Sequence, residues 1–262
     1  MENIDKNGFV KYHLPCPLCA SSDAVSLNKD GSAYCFSCQQ YIREYNMETN
    51  HETTNRVNEY QVKDFLKESN FAEIIDRNLK EDTCKRYGVT VKMDSVGSIT
   101  HHYYPYHDKQ GAKIATKTRY TKLKEFSIQG NTKNSGLFGE HLFTKGKYII
   151  VTEGELDCLS AYQMFKTDKY DTPVVSIKNG ITSAVKDIKN SLDYLEQFDN
   201  VIINFDNDKH GQEGALKVAE LFSPGKCKIM YLPQEYKDAS DCLTKNKIQI
   251  YTKAFWDAKL YA

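Results

Sequence analysis

This chain is predicted to be an α/β protein in which a small metal-bound β-ribbon precedes a mixed α+β segment and a mainly parallel sheet covered by helices. Three observations predict it. Cys16-x-x-Cys19 and Cys35-x-x-Cys38 form two ligand pairs with fifteen residues between them. Residues 44–59 (EYNMETNHETTNRVNE) are polar and carry neither the helical nor the strand apolar period. From Tyr148 onward short apolar runs alternate with helical patterns, which builds parallel strands because each crossover helix returns the chain to the starting edge of the sheet. The expected units are residues 1–43, a ribbon; 44–59, a flexible linker; 60–147, a basic subdomain; and 148–262, the α/β subdomain with its C-terminal helix.

The ribbon comes first. Four thiolates fill a tetrahedral shell and leave no position for water, so the implied zinc is structural and the chemistry must lie elsewhere. Pro15, Pro17 and Asp30-Gly31 stand where two short hairpins need turn residues. Cys84, Cys158, Cys227 and Cys242 lack motif spacing and suit reduced, buried thiols better than disulfides. No apolar run approaches the roughly 18 residues that cross a bilayer, and the opening MENIDKNGFV is too polar for a signal peptide. A soluble, cytosolic protein is expected.

The linker offers nothing to bury. Beyond it, Phe65, Leu66, Phe71, Ile74, Ile75 and Leu79 suit short helices. The period then changes to that of a hairpin, Ile99–Tyr106 and Ala112–Tyr120 flanking the turn residues Asp108-Lys-Gln-Gly111. Along its second strand Lys113, Ala115, Lys117 and Arg119 alternate with Ile114, Thr116 and Thr118, so one face can offer cations to a phosphate backbone. Formal charge over the chain cancels at 35 Lys and Arg against 35 Asp and Glu, yet Lys109 to Lys147 holds nine Lys or Arg against Glu125 and Glu140 alone. A basic stretch ahead of an acidic one suits a polyanion brought to metal-binding carboxylates.

Four strands are expected at Tyr148–Thr152, Val174–Ile177, Val201–Phe205 and Cys227–Leu232. One amphipathic helix is expected through Ile181, Ala184, Val185, Ile188, Leu192 and Leu195, and another over Ile248–Leu260. Glu153 and Asp157 follow the first strand, Asp206 and Asp208 the third, and Asp238 the fourth. Ligands of open parallel sheets bind beyond the carboxyl ends of the strands, so these carboxylates should meet at one edge. Glu153 and Asp157 would share a helix face if a helix began at once, and Asp206 and Asp208 one side of an extended strand. Oxygen ligands from several loops suit magnesium, with Glu153, Asp206 and Asp208 as the expected set.

Glu-Gly-x-x-Asp after a strand, followed by Asp-x-Asp after a later one, resembles the Toprim fold of DnaG-type primases, topoisomerases and some nucleases. More closely, Tyr12-His-Leu-Pro-Cys16, Ser21-Ser-Asp23, Asp30-Gly31, Leu137-Phe-Gly139 with His141-Leu142, Val151 to Asp157, Pro173-Val-Val-Ser176 and Lys237-Asp-Ala239 resemble, in collinear order, the primase half of phage primase-helicase proteins of the T-seven type. The resemblance departs at Ser32, where the family has histidine in the ribbon surface that reads template, and at Lys178-Asn179-Gly180, which replaces Gly-His-Gly.

The resemblance implies template-directed synthesis of short RNA primers from ribonucleoside triphosphates on single-stranded DNA. It implies magnesium, or manganese, as the catalytic ion. Glu153 would be the acid/base, and Asp157, Asp206, Asp208 and Asp238 would belong to the metal and nucleotide site. Lys117, Arg119, Lys122 and Lys124 would contact phosphates, and Ser32 would face the template. Expected partners are a replicative helicase, fused or separate, and a DNA polymerase that accepts the primer, all in the cytoplasm of the infected bacterial host. No G-x-x-x-x-G-K-[ST] loop occurs in the chain, so these residues hold no such motor. The rival readings are a Toprim nuclease using the same carboxylates and a non-catalytic zinc-ribbon binding module.

Overall fold

The computed structural model describes residues 9–18, 21, 23–37, 40–45, 69–123 and 125–261. Cys19, Cys38, Lys124, most of the expected linker and the first part of the expected short helices lie outside the described residues. Two compact units result.

The first unit gathers the described residues up to Asn70 with Val91–Tyr103 and Ile114–Asn134. Its ribbon is the antiparallel sheet β1 (Phe9–Leu14), β2 (Val25–Asn28), β3 (Ala33–Cys35) and β4 (Gln40–Ile42). Among the described residues, Cys16, Val25, Ala33 and Cys35 are its buried core, and Leu14, Leu18, Ala24, Leu27, Ile42 and Tyr45 pack around them. So few apolar side chains make a marginal core, the circumstance in which a bound metal supplies folding energy.

A second sheet has the order β5 (Thr90–Met93), β6 (Ile99–His107), β7 (Lys113–Tyr120) and β8 (Glu125–Gly130). The expected hairpin is present. Asp108 turns the chain by accepting from the N–H groups of Gln110 and Ala112 at 3.0 and 2.9 Å. Gly111 sits at φ 82°, a conformation that costs a side-chain-bearing residue about 1 kcal/mol or more. On β7, Thr116 and Thr118 are buried. Lys117 and Arg119 lie opposite Ile128 and Phe126.

The second unit comprises Phe71–Thr90, Tyr104–Lys113 and Ser135–Ala262. It therefore takes in parts of the expected 60–147 subdomain, for a packing reason. Tyr87 stacks on Phe138 and meets Tyr162 edge-on, and Tyr104 and Tyr106 close on Phe138. Tyr104 and Tyr106 are core residues here, and the Tyr106 hydroxyl donates to Glu155 at 2.6 Å.

The main sheet of this unit has the order β10 (Val174–Ser176), β9 (Gly146–Thr152), β11 (Phe198–Asn204), β12 (Cys227–Ile229) and β13 (Lys259–Leu260). Its first four strands are parallel, and β13 is antiparallel to β12. Ile149, Ile150, Val151, Val201, Ile202 and Ile203 are buried, as expected when both faces of a parallel sheet are covered. Helix Glu155–Phe165 packs with Ala239–Thr244 and Ile248–Trp256, and helix Lys209–Ala219 with Ala184–Asn190. The right-handed connections that parallel strands adopt would place these two sets on opposite faces of the sheet.

Two expected helices are shorter than their patterns. The stripe from Ile181 to Leu195 is broken into Ile181–Ser183, Ala184–Asn190 and Leu192–Leu195. The last segment ends its helix at Trp256 and adds Lys259–Leu260 as an edge strand, because the Cys227 edge still had backbone groups to pair.

Candidate metal and catalytic centre

Asp157, Asp206 and Asp238 each present an oxygen, and the three oxygens lie within 4.8 Å of one another. Each follows a different parallel strand: β9, β11 and β12. Gly154 begins helix Glu155–Phe165 after β9, which puts Asp157 in the first turn. Asp206 follows the end of β11. Asp238 caps helix Ala239–Thr244 by accepting from the Asp241 N–H at 2.7 Å.

The helix starts at Glu155 rather than Glu153, so the expected shared face of Glu153 and Asp157 does not form. Glu153 lies before the helix, and its Oε2 accepts from the Asp206 N–H at 3.3 Å. Nor does the extended strand continue past Asn204. Asp208 instead caps helix Lys209–Ala219, its Oδ1 accepting from Gly211 N–H at 2.9 Å. The close trio thus contains Asp157 and Asp238 where the sequence pointed to Glu153 and Asp208. Where strand β11 ends and where the helix after β9 begins, neither visible in strand periodicity, make the difference.

Electrostatics mark the same residues. Burial, then Asp206 and Asp208, push the Glu153 carboxyl above its ordinary value. Burial, then Asp238 and Asp206, push Asp157 well above the usual carboxylate range. Asp206 is also raised, because burial outweighs the help of Lys237, whose Nζ is 2.8 Å away. Carboxylates that crowd one another at a cleft disfavour ionisation unless a cation joins them. Three hard oxygen donors brought this close together suit a divalent cation.

This crowding has a measurable cost. Asp157 binds its proton more tightly in the folded protein than at its ordinary 3.8. Its contribution to stability is therefore full below that value and is lost as pH rises through the raised one. Without divalent metal, Asp157→Asn is expected to melt about 3 °C above wild type at neutral pH, the gap closing on acidification below about pH 4. Calorimetry with chelator tests this, and superimposable melts at pH 7 would show that folding does not disfavour the charged form of Asp157.

Two residues that the sequence did not single out hold the site together. Asn207, the middle of Asp-Asn-Asp, directs its amide to the carbonyls of Leu232, Pro233 and Tyr236 at 3.0, 3.1 and 3.1 Å, and its N–H to that of Lys237 at 2.7 Å. It staples the segment that delivers Asp238 to the loop that carries Asp206. Gly211 is the other: a Cβ there would stand 2.1 Å from the Asp206 carbonyl oxygen. A side chain so close to backbone is a hint that only the folded chain reveals.

The remaining sequence-derived residues that are described lie in the first unit. Lys117 and Arg119 are partly exposed over the Phe126 ring, at 4.8 and 5.8 Å, and Lys122 is exposed. Ser32 is buried inside the β2–β3 turn. Its hydroxyl donates to Asp30 Oδ1 at 2.6 Å and accepts from Asn28 at 3.0 Å, so this position holds the turn and does not present a reading surface. Cys16 and Cys35 come together in the ribbon core, and the Leu18 N–H points at Cys16 Sγ at 3.4 Å. Among the described residues no helix is long and apolar enough to cross a membrane.

A fold and site of this kind define a Toprim domain, and a Toprim-like family matches residues 150–243, which include all five carboxylates. The chain is a homologue of phage helicase/primase proteins: over 98% of its length it is 31% identical to the DNA helicase/primase of Enterobacteria phage T3, of which it spans 45%. The primase fragment of the bacteriophage T7 primase-helicase protein superposes with a TM-score of 0.64 at 27% identity, covering 94% of this chain and 99% of that one. A second T7 structure shows the lagging-strand DNA polymerase interacting with primase domains bound to an RNA/DNA hybrid and dTTP. It matches with a TM-score of 0.66 at 29% identity over 74% of this chain and 94% of that one.

Proposed function

We propose that this chain is a primase module that joins ribonucleoside triphosphates into short RNA primers on a single-stranded DNA template during phage replication. The observation that carries the reading is the convergence of Asp157, Asp206 and Asp238, with Glu153 bonded behind Asp206, in a chain homologous to phage helicase/primase proteins. Asp157, Asp206 and Asp238 would hold magnesium, which when bound neutralises the triphosphate and the departing pyrophosphate. Glu153 takes the proton of the attacking 3′-hydroxyl. Burial and the neighbouring carboxylates raise its pKa, which makes it a better base than an ordinary carboxylate.

Lys117, Arg119 and Lys122 supply cations for backbone phosphates, with Lys124 as a fourth candidate. In the ribbon, Cys16, Cys19, Cys35 and Cys38 hold zinc. The Leu18 N–H aimed at the Cys16 sulfur supports this, since a metal-bound thiolate accepts such hydrogen bonds. The exposed rings of Tyr12, Phe36 and Tyr41 offer template bases a stacking surface. A replicative helicase and a primer-accepting DNA polymerase are the proposed partners, and the infected cell's cytoplasm the proposed location.

The test is one preparation, assayed for zinc by elemental analysis and then given random-sequence single-stranded templates, labelled ribonucleotides and magnesium. Short RNA products that require template and magnesium, from protein carrying one zinc per chain, are expected. Template cleavage without primers would reassign the site to a nuclease, and neither product would reduce the chain to a binding module.

A further inference from the structure

We infer that the Lys237 ammonium is a tethered cation that competes with the divalent ion for Asp206 and Asp238. The inference rests on the metal reading of the trio and adds how that site is kept when the ion is away. Three ionised carboxylates this close would repel strongly in a partly buried cleft. Lys237 answers that repulsion: its Nζ lies 2.8 Å from Asp206 Oδ2 and 3.7 Å from Asp238 Oδ2. It thus bridges two of the three ligands that a metal would use.

Its backbone is fixed from both sides. The Lys237 carbonyl accepts from Asn207 N–H at 2.7 Å, and its own N–H donates to Asp241 Oδ2 at 3.2 Å. The side chain, in contrast, is 62% exposed, so the ammonium can leave into water without moving the loop. A divalent ion brings twice the charge and displaces it, but only at a concentration raised by the competition. The released ammonium stays on a rigid loop at the mouth of the site, where a substrate phosphate is the next anion available to it. Part of the site's negative charge is in this way offset before the ion binds, and a cation is set free for the nucleotide when it does.

The experiment measures Mn²⁺ binding to the zinc-loaded chain without nucleotide, by the loss of the free-ion electron paramagnetic resonance signal. Wild type, Lys237→Met, Lys237→Arg and Asp206→Asn are compared. Lys237→Met is expected to bind Mn²⁺ roughly tenfold more tightly, and Lys237→Arg, which keeps the charge, close to wild type. The metal-free Met variant should also melt below wild type and gain more from Mn²⁺. Unchanged or weaker Mn²⁺ binding by Lys237→Met overturns the competition and leaves the metal site standing. If Asp206→Asn binds Mn²⁺ as tightly as wild type, the trio is not the metal site and both readings fall.

Discussion

Glu153→Gln is expected to lower primer synthesis about a thousandfold while leaving the fold and template binding intact, the range seen when a positioned general base is removed. Glutamine has nearly the same volume, and its amide oxygen can still accept the Asp206 N–H that Glu153 Oε2 accepts at 3.3 Å. What it lacks is the basic lone pair and the charge. The pH profile supplies the second check. In the wild type the rate should rise as Glu153 ionises, with a midpoint above the ordinary 4.5 because burial and the charges of Asp206 and Asp208 oppose ionisation. In the variant that limb should vanish. Turnover within about threefold of wild type, with the limb unchanged, would move the base to another residue.

Gly211→Ala is expected to lower primer synthesis about a hundredfold and to lower the melting temperature as well. Helix propensity alone argues the opposite, since alanine is favoured over glycine by about 1 kcal/mol within a helix. The geometry decides. An added Cβ would lie 2.1, 2.8 and 2.9 Å from the carbonyl oxygen, carbonyl carbon and nitrogen of Asp206, and backbone cannot turn aside as a side-chain end can. The start of helix Lys209–Ala219 must separate from the Asp206–Asp208 loop, which moves a metal ligand and loosens the Asp208 cap. A displacement near 1 Å in a reacting constellation costs about a hundredfold in rate. Gly214→Ala in the same helix is the contrast, because its Cβ would press on the Ile181 side chain, with Cδ1 and Cγ1 at 2.1 and 2.5 Å, which can shift as backbone cannot. Melting curves and turnover for both distinguish the cases, and a Gly211→Ala protein more stable than wild type would mean that the loop yields.

Composition and spacing determined a good deal. The alternation after Tyr148 identified the four parallel strands, with boundaries displaced by a few residues. Their order and the antiparallel β13 edge were not legible, since strand order depends on pairing across segments far apart in the chain. The carboxylates were legible as a set because each follows an apolar run and strand ends share an edge. How they divide the work was not. Asp208 and Asp238 look alike in sequence, yet both cap helices, and Asp238 alone of these two reaches the trio. Local capping and the packing of helix Glu155–Phe165 against Ala239–Thr244 set those distances.

Ser32 shows the same limit: its position beside Asp30-Gly31 is a turn signal in any sequence, and only the closed turn reveals that its hydroxyl is tied to Asp30. Asn207 and Gly211 carried no signal at all. Their roles consist of contacts with backbone atoms brought alongside by folding, Leu232 to Lys237 for the first and Asp206 for the second. The sequence by itself determined which chemical groups reach the sheet edge, because strand periodicity and residue type are local properties. Only the tertiary structure decided which of them touch, because separations of 3 to 5 Å between distant residues are set by how helices and loops pack.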